Sequence, residues 1–148
     1  MDLASHPQTG ELLTAEVLDR MGQPHLPGLL GLRITALEPD TVHARLEVGP
    51  QHLAANGYLH AATVTALADT AAGCGALTFR PKESSGFTTV ELKANFLGTV
   101  REGVITVSAR KVHGGRTTQV WDAEVIEEAT GKPIALFRCT QMILYPRA

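Results

Sequence analysis

Alternating apolar and polar residues predict a pair of strands early in the chain. In "TVHARLEVGP" (41–50) every second residue is apolar up to Val48, and His, Arg and Glu lie between them. This period of two is typical of a strand with one buried face. "LRITAL" (32–37) precedes it across the turn dipeptide Pro39-Asp40 and is predicted to be its hairpin partner.

Two other segments carry the spacing of helices. "TGELLTAEVLDRMG" (9–22) has apolar residues at helical intervals and ends on Gly22, so a short amphipathic helix is predicted there. Residues 59–79 are small or apolar on nearly every side, and Arg80-Pro81 ends this second, long helix. A helix of that kind must be covered nearly all round, which a curved sheet wrapped about it can do.

The chain after the long helix has the composition of strands. Four strands are predicted, at 86–96, 104–113, 116–128 and 134–145. Glycine-containing turns separate the last three, which predicts an antiparallel meander. Helices and strands do not alternate, so the fold class is α+β, with one antiparallel sheet of about six strands and a single central helix.

Length, composition and charge narrow the classes of function. With 148 residues, 44% of them hydrophobic, the chain is predicted to be one domain over 1–148. Thirteen Lys and Arg against fifteen Asp and Glu give a net charge of −2, and no basic run is present, so we expect no nucleic-acid partner. Residues 59–79 are rich in Ala and interrupted by Asp69, so we expect no membrane span.

Signals for export and for metal binding are not found in the sequence. The first twenty residues carry acidic side chains and no basic region before an apolar stretch, so no secretory signal is expected. Cys74 and Cys139 are isolated, without metal-ligand spacing or a disulfide framework. We therefore expect no metal site and a cytoplasmic location.

Asp69 is an unusual residue for the interior of the long apolar helix. It lies too deep to cap the helix or to gain from the helix dipole. Its neighbours one turn away are small and uncharged: Thr65, Ala66, Ala72 and Gly73. The helix therefore offers no ion-pair partner and leaves a groove beside the carboxylate. Asp69 either pairs with an arginine of the sheet, or meets solvent at a gap, or acts as a general base or nucleophile.

The residues before the same helix predict an anion site. Asn56-Gly57 is typical of a tight turn, after which the first helical amides lack partners inside the helix, namely those of Ala61, Ala62 and Thr63. Such amides can hold an anion or an oxyanion. His60 is either catalytic or a structural histidine at the helix start. Asn56 either orients a water or a carbonyl, or holds the turn.

Together these residues resemble a known family. "NGYLHAATVTALADTAAG" (56–73) resembles the helix-start motif of hotdog-fold acyl-CoA thioesterases of the phenylacetic-acid-degradation type, in which a catalytic Asp follows a His-Gly-Gly motif, nine residues after the His. The resemblance continues through "TTVELKANFLG", "HGGRTTQVW" and "GKPIALFRCTQMIL" and covers residues 28–145.

The resemblance implies a hotdog fold, a dimer or a dimer of dimers, and hydrolysis of an acyl-CoA thioester without metal or cofactor. It makes Asp69 the catalytic carboxylate, places His60 beside the oxyanion site, and makes the Ala61 N–H the group that polarises the thioester carbonyl. The family favours an aromatic acyl group such as phenylacetyl, and a medium-chain acyl group stays open.

Several positions depart from the family pattern. Ala61 and Ala62 replace the two Gly after the His, which keeps the amides but brings methyl groups toward the substrate. The family's Asn usually stands six residues before the His, where this chain has Ala54. The basic residue and the Pro that often follow "FL" are missing at Gly98-Thr99.

The turn at Gly114-Gly115 offers groups for the nucleotide of coenzyme A. A guanidinium and two hydroxyls follow it and suit a phosphate, although an ordinary hairpin with a solvated arginine is the other interpretation. The predicted substrate-binding residues are Gly57, Gly73, Gly115, Arg116, Thr117 and Thr118.

Two other functions stay open. A hydratase or dehydratase acting on acyl thioesters would need a His and a carboxylate together, but His60 and Asp69 lie about 13 Å apart along one helix and on opposite sides. A non-catalytic acyl-CoA-binding module would have a filled or neutral site in place of Asp69, and usually an attached DNA-binding segment. This chain keeps Asp69, and we expect no DNA-binding segment.

Overall fold

One antiparallel sheet of six strands dominates the computed structural model, which describes residues 1–147. The strands are β1 (Leu32–Glu38), β2 (Thr41–Val48), β3 (Gly86–Phe96), β4 (Gly103–Gly114), β5 (Thr118–Glu127) and β6 (Pro133–Leu144). Their order across the sheet is β1-β2-β4-β5-β6-β3. The predicted β1-β2 hairpin and the β4-β5-β6 meander are therefore confirmed.

The sheet curves around one long helix. The helices of the described residues are α1 (Ala15–Gly22), α2 (Leu26–Leu29) and α3 (Ala61–Thr78), with a 3-10 turn at Pro50–His52. The interior of α3 is buried or half-buried throughout, as its apolar composition predicts. Small residues let it lie close to the sheet, because a side chain at Gly75 would clash with the Trp121 ring. No helix within residues 1–147 combines the length and apolarity that a membrane crossing requires.

Some predicted boundaries are wrong for local reasons. α1 begins at Ala15 rather than at residue 9, because the Thr14 hydroxyl caps it by accepting a hydrogen bond from the Val17 N–H. α3 begins at Ala61 rather than at 59, because His60 is its N-cap. β5 begins at Thr118 rather than at 116, since the residues before it form the turn. The short helix α2 was not predicted, since its sequence Leu-Pro-Gly-Leu contains two residues typical of turns.

β3 forms one end of the sheet and is poorly covered. It pairs with β6 alone, and its Cα partners Leu92–Cys139 and Phe96–Ala135 show which residues share a face. Cys139 and Ala135 are buried in the core, so Leu92 and Phe96 lie on the helix side of the sheet. They are nevertheless 41% and 48% exposed. The helix therefore leaves this end of the concave face uncovered.

Candidate active site

Asp69 borders a cavity that α3 lines together with both edge strands of the sheet, β1 and β3. The cavity has a volume of about 380 Å³, and α1, α2 and the connection between them complete its wall. Its apolar lining includes Leu18, Met21, Leu32, Ile34, Leu77 and Phe87. Asp69 is half-buried, and its Oδ1 atom is buried without a hydrogen-bond partner in the part of the chain that the structure describes.

Among residues 1–147 no cation forms an ion pair with this carboxylate. Every ion pair found within residues 1–147 involves another acid, such as Asp19 with Arg33 or Asp122 with Arg138. This removes the interpretation in which Asp69 pairs with an arginine of the sheet. Loss of hydration raises the pKa of Asp69 above its usual value. A carboxylate with a raised pKa beside a cavity is the arrangement expected of a general base.

Gly73 shapes the wall of the cavity one turn after Asp69. A Cβ atom at this position would lie 3.3 Å from Cζ of the Phe87 ring, so glycine leaves space between the helix backbone and that ring. The predicted groove beside the carboxylate is thus present. The polar part of the wall includes residues that sequence reasoning missed, namely Asp19, Gln23, His25, Thr70 and Thr89. They come from separate elements, so no local pattern could have identified them.

The start of α3 leaves one amide without an acceptor. The His60 ring accepts a hydrogen bond from the Ala62 N–H at 2.9 Å, and the His60 carbonyl accepts one from the Thr63 N–H at 3.0 Å. The amides of Ala62 and Thr63 thus lack partners within Ala61–Thr78, as predicted, but the N-cap residue His60 occupies both, so the expectation that they can hold an anion is wrong. Of these three amides, only that of the exposed residue Ala61 has no acceptor among residues 1–147. An oxyanion can approach that N–H directly.

Asn56 and Gly57 hold the turn before this helix. The Asn56 side chain accepts a hydrogen bond from the Tyr58 N–H at 3.2 Å, and Gly57 has a φ of +81°, which favours glycine. The Asn56 side chain is exposed and occupied by the turn. The sequence left two interpretations of Asn56 open, and this hydrogen bond supports the one in which Asn56 holds the turn.

The four residues predicted to bind the nucleotide, Gly115 to Thr118, lie near the opposite end of α3. The β4–β5 hairpin is tied to that end, because the side chain of Gln119 donates to the carbonyl of Phe79 at 3.0 Å. The exposed guanidinium of Arg116 lies 5.1 Å from the centre of the Tyr145 ring. The Gly115 N–H donates to the Thr118 carbonyl at 2.8 Å, which closes the turn.

Within one chain, the predicted site residues therefore form three separate groups: the start of α3, Asp69 with its cavity, and the β4–β5 hairpin. Ala61 and Asp69 are eight positions apart on one helix, which corresponds to about 12 Å along its axis. The hairpin of Arg116 lies beyond the far end of that helix. A single reacting atom cannot contact both the Ala61 amide and the Asp69 carboxylate of the same chain, since reacting groups must come within about 3–3.5 Å.

Comparisons with known proteins give a consistent result. A family model described as the thioesterase superfamily matches residues 56–134. The chain is 32% identical over 111 residues to the 1,4-dihydroxy-2-naphthoyl-CoA hydrolase of Listeria monocytogenes, a match that covers 75% of this chain and 89% of that protein.

Solved structures agree with the resemblance seen in the sequence. A mutant thioesterase from Pseudomonas aeruginosa is similar at a TM-score of 0.83 and 28% identity, over 88% of this chain and 93% of that one. The PaaI protein from the phenylacetic acid degradation operon of Escherichia coli shares the fold, with a TM-score of 0.71 and 24% identity over 80% of this chain and 83% of that one. The predicted hotdog fold is thereby confirmed.

The unpartnered carboxylate predicts that Asp69→Asn raises the free energy of unfolding at neutral pH. The pKa of Asp69 is higher in the folded state than in the unfolded state, so its contribution to stability is fully present below the unfolded pKa of about 4 and is lost as the pH rises through the folded-state pKa. The amide does not ionise and avoids this loss. Thermal unfolding at pH 7 should give a higher midpoint for the variant, and the difference should narrow toward about pH 4.

Asp122→Asn is a matched control, because the same substitution at that position should not raise the free energy of unfolding at pH 7. A hydrogen bond from Arg138 lowers the pKa of Asp122, so this carboxylate stabilises the fold above its unfolded pKa. Its amide variant should unfold at the same temperature as the wild type or lower at pH 7. A lower midpoint for Asp69→Asn as well would mean that Asp69 has a stabilising partner, contrary to this account.

Proposed function

This chain belongs to the thioesterase superfamily, and on that premise we propose that it hydrolyses an acyl-CoA to a free acid and CoA with Asp69 as the catalytic carboxylate. The observation that carries the proposal is the buried, unpartnered Oδ1 atom of Asp69 at the wall of an apolar cavity. A non-catalytic binding module would have no need of such a costly group.

Two routes fit this arrangement. As a general base, Asp69 takes a proton from water, the hydroxide adds to the thioester carbon, and the C–S bond breaks to release CoA as a thiolate that takes up a proton. As a nucleophile, the carboxylate adds to the same carbon and expels the thiolate, and water then hydrolyses the resulting anhydride. In both routes the carbonyl oxygen gains negative charge, which the N–H of Ala61 stabilises at the helix start.

The acyl group occupies the cavity beside Asp69 in this proposal. The apolar wall, with Gly73 and the Phe87 ring on one side, suits a flat aromatic acyl group such as phenylacetyl, and the volume of about 380 Å³ also admits a medium chain. The Listeria relative is named for a bicyclic aromatic acyl-CoA, which favours the aromatic alternative.

The protein acts as a homodimer in which two chains build each site. The separation between the Ala61 amide and Asp69 in one chain is the first support, because two antiparallel α3 helices would bring one chain's amide to its partner's carboxylate. The outer edge of β3 is the second support. Within residues 1–147 no strand pairs with this edge, and the eleven-residue strand carries the exposed apolar side chains of Val90, Leu92 and Phe96. Pairing with a second copy would cover this edge, which is otherwise an aggregation hazard.

The test of the catalytic role is Asp69→Asn, which keeps the shape of the side chain but can act neither as base nor as nucleophile. Steady-state release of free CoA should show kcat reduced by at least about a hundredfold, the usual scale for this kind of catalysis. Asp122→Asn, on the other face of the sheet, should keep its turnover. Near wild-type turnover by folded Asp69→Asn would refute the mechanism, and tight acyl-CoA binding without turnover by the wild type would identify a binding module.

Arg116 is proposed to contact a phosphate of the CoA nucleotide. Arg116→Ala should raise KM for acyl-CoA with little change in kcat, since it removes binding common to the ground state and the transition state. Acyl-pantetheine substrates, which lack the nucleotide, should show no such change. Arg138→Ala serves as the control for loss of an exposed arginine. Equal effects of Arg116→Ala on both substrates would exclude a nucleotide contact.

The shared site predicts complementation between two inactive chains. Ala61→Pro should delete the donor without breaking the helix, because proline is tolerated in the first turn and His60 already has an extended backbone with ψ of 133°. Mixed with Asp69→Ala, each heterodimer has one site with both lesions and one intact site, so it should recover up to about half the wild-type activity, whereas each parent is nearly inactive.

Ala61→Gly is the control, since it keeps the N–H and should keep activity. Heterodimers are isolated with two different affinity tags and assayed before they can exchange subunits. Purified, folded heterodimers as inactive as their parents would show that the two chains do not share a site.

A further inference from the structure

We propose that His52 is a positioning residue that connects the oxyanion-binding start of α3 with α2, beside the acyl cavity. The inference rests on the proposed function for the roles of these two regions. His52 is a buried polar residue, 1% exposed, at the end of the 3-10 turn. No motif in the sequence marks it.

The carbonyl of His52 holds the start of α3 on both sides of Ala61. It accepts a hydrogen bond from the His60 N–H at 3.0 Å and another from the Thr63 hydroxyl at 2.9 Å. The orientation of the Ala61 amide therefore depends on where this carbonyl lies. Any shift of the 3-10 turn would move the oxyanion donor with it.

The ring of His52 ties the same turn to two further points. The Gly49 N–H donates to Nδ1 at 2.8 Å, so Nδ1 carries no hydrogen and the hydrogen of the neutral ring is on Nε2. Nε2 then donates to the carbonyl of Leu30 at 2.7 Å. Leu30 is the C-cap of α2, and His25 and Pro27 in the same segment line the cavity next to Asp69.

His52 thus contacts the supports of both functional regions of its chain. Its carbonyl fixes the amide donor, and its Nε2 atom fixes the segment that lines the acyl cavity. In the proposed dimer these regions belong to different active sites, so one histidine would support both. An apolar side chain of similar size could fill the space but could not make either ring hydrogen bond.

Two amide variants separate the two ring contacts. In His52→Asn the amide oxygen can replace Nδ1 as the acceptor for the Gly49 N–H, but the shorter side chain cannot reach the Leu30 carbonyl. In His52→Gln the amide nitrogen can replace Nε2 as the donor to Leu30, but the contact with Gly49 is lost. His52→Asn should keep kcat and raise KM about fivefold, the scale of one lost hydrogen bond. His52→Gln should keep KM and lower kcat about tenfold, since small misplacements of a reacting group have effects of that size. His52→Leu should show both changes.

These constants are measured per folded molecule, with the folded fraction taken from circular dichroism. His43→Leu is the control, because it also removes a ring hydrogen bond, the one between His43 and the Ser108 hydroxyl, but His43 lies in β2 on the opposite face of the sheet from α3. Unchanged kcat and KM in His52→Leu, or identical changes in the Asn and Gln variants, would show that His52 only fills the core.

Amide hydrogen exchange tests the same inference without any activity. Exchange of residues 59–64 should accelerate in His52→Gln and His52→Leu, and exchange of residues 26–31 should accelerate in His52→Asn and His52→Leu, with no change in His43→Leu. If the wild type hydrolysed no acyl-CoA, the proposed function would fail while this readout still decided whether His52 connects the two regions. Unaltered exchange in all three His52 variants would overturn the inference.

Discussion

Burial of the Asp69 carboxylate on an apolar helix carries a free-energy cost that no neighbouring cation offsets. The helix is half-buried or buried around this residue, Oδ1 has no partner within residues 1–147, and loss of hydration raises the pKa of the group. A protein gains nothing for its stability from such an arrangement. The surrounding features fit a role in binding or reaction instead, because small residues and an apolar cavity keep space open beside the carboxylate.

The geometry of α3 then constrains how the site is completed. A straight helix separates the Ala61 amide from Asp69 by a distance that no single thioester spans. The same chain leaves the β3 edge and the apolar side chains of Leu92 and Phe96 uncovered, on the strand whose Phe87 and Thr89 line the cavity. A second copy of the chain with its helix antiparallel to the first, as proposed above, would account for both features. The catalytic site and the oligomer are therefore linked in this account.

The sequence predicts the fold well because its signals are local. Alternation in β2, turn residues between strands, and a long helix of small residues are all patterns that extend over a few neighbouring residues. The start of α1 was misjudged because an apolar spacing continues upstream of the true cap at Thr14. The amides of the α3 start were misjudged because His60, which is not a common N-cap residue, uses its ring nitrogen to satisfy Ala62.

The candidate site was only partly accessible to sequence reasoning. Asp69 was found because a charge inside an apolar helix is conspicuous, and its groove because its neighbours are small. The wall of the cavity was not found, since it combines residues of α1, the α1–α2 connection, β1 and β3 that meet only through tertiary packing. His52 was missed for the same reason, as its partner Leu30 lies 22 positions away on another element.

The shared site can be seen directly in a crystal structure of the folded Asp69→Asn variant with bound acyl-CoA. We expect the thioester oxygen to lie about 2.7–3.1 Å from the Ala61 nitrogen of one chain. We also expect the thioester carbon to lie beside residue 69 of the other chain, with the acyl group in that chain's cavity. A thioester that contacts residue 69 and no Ala61 amide, or one bound away from residue 69, would contradict the shared site.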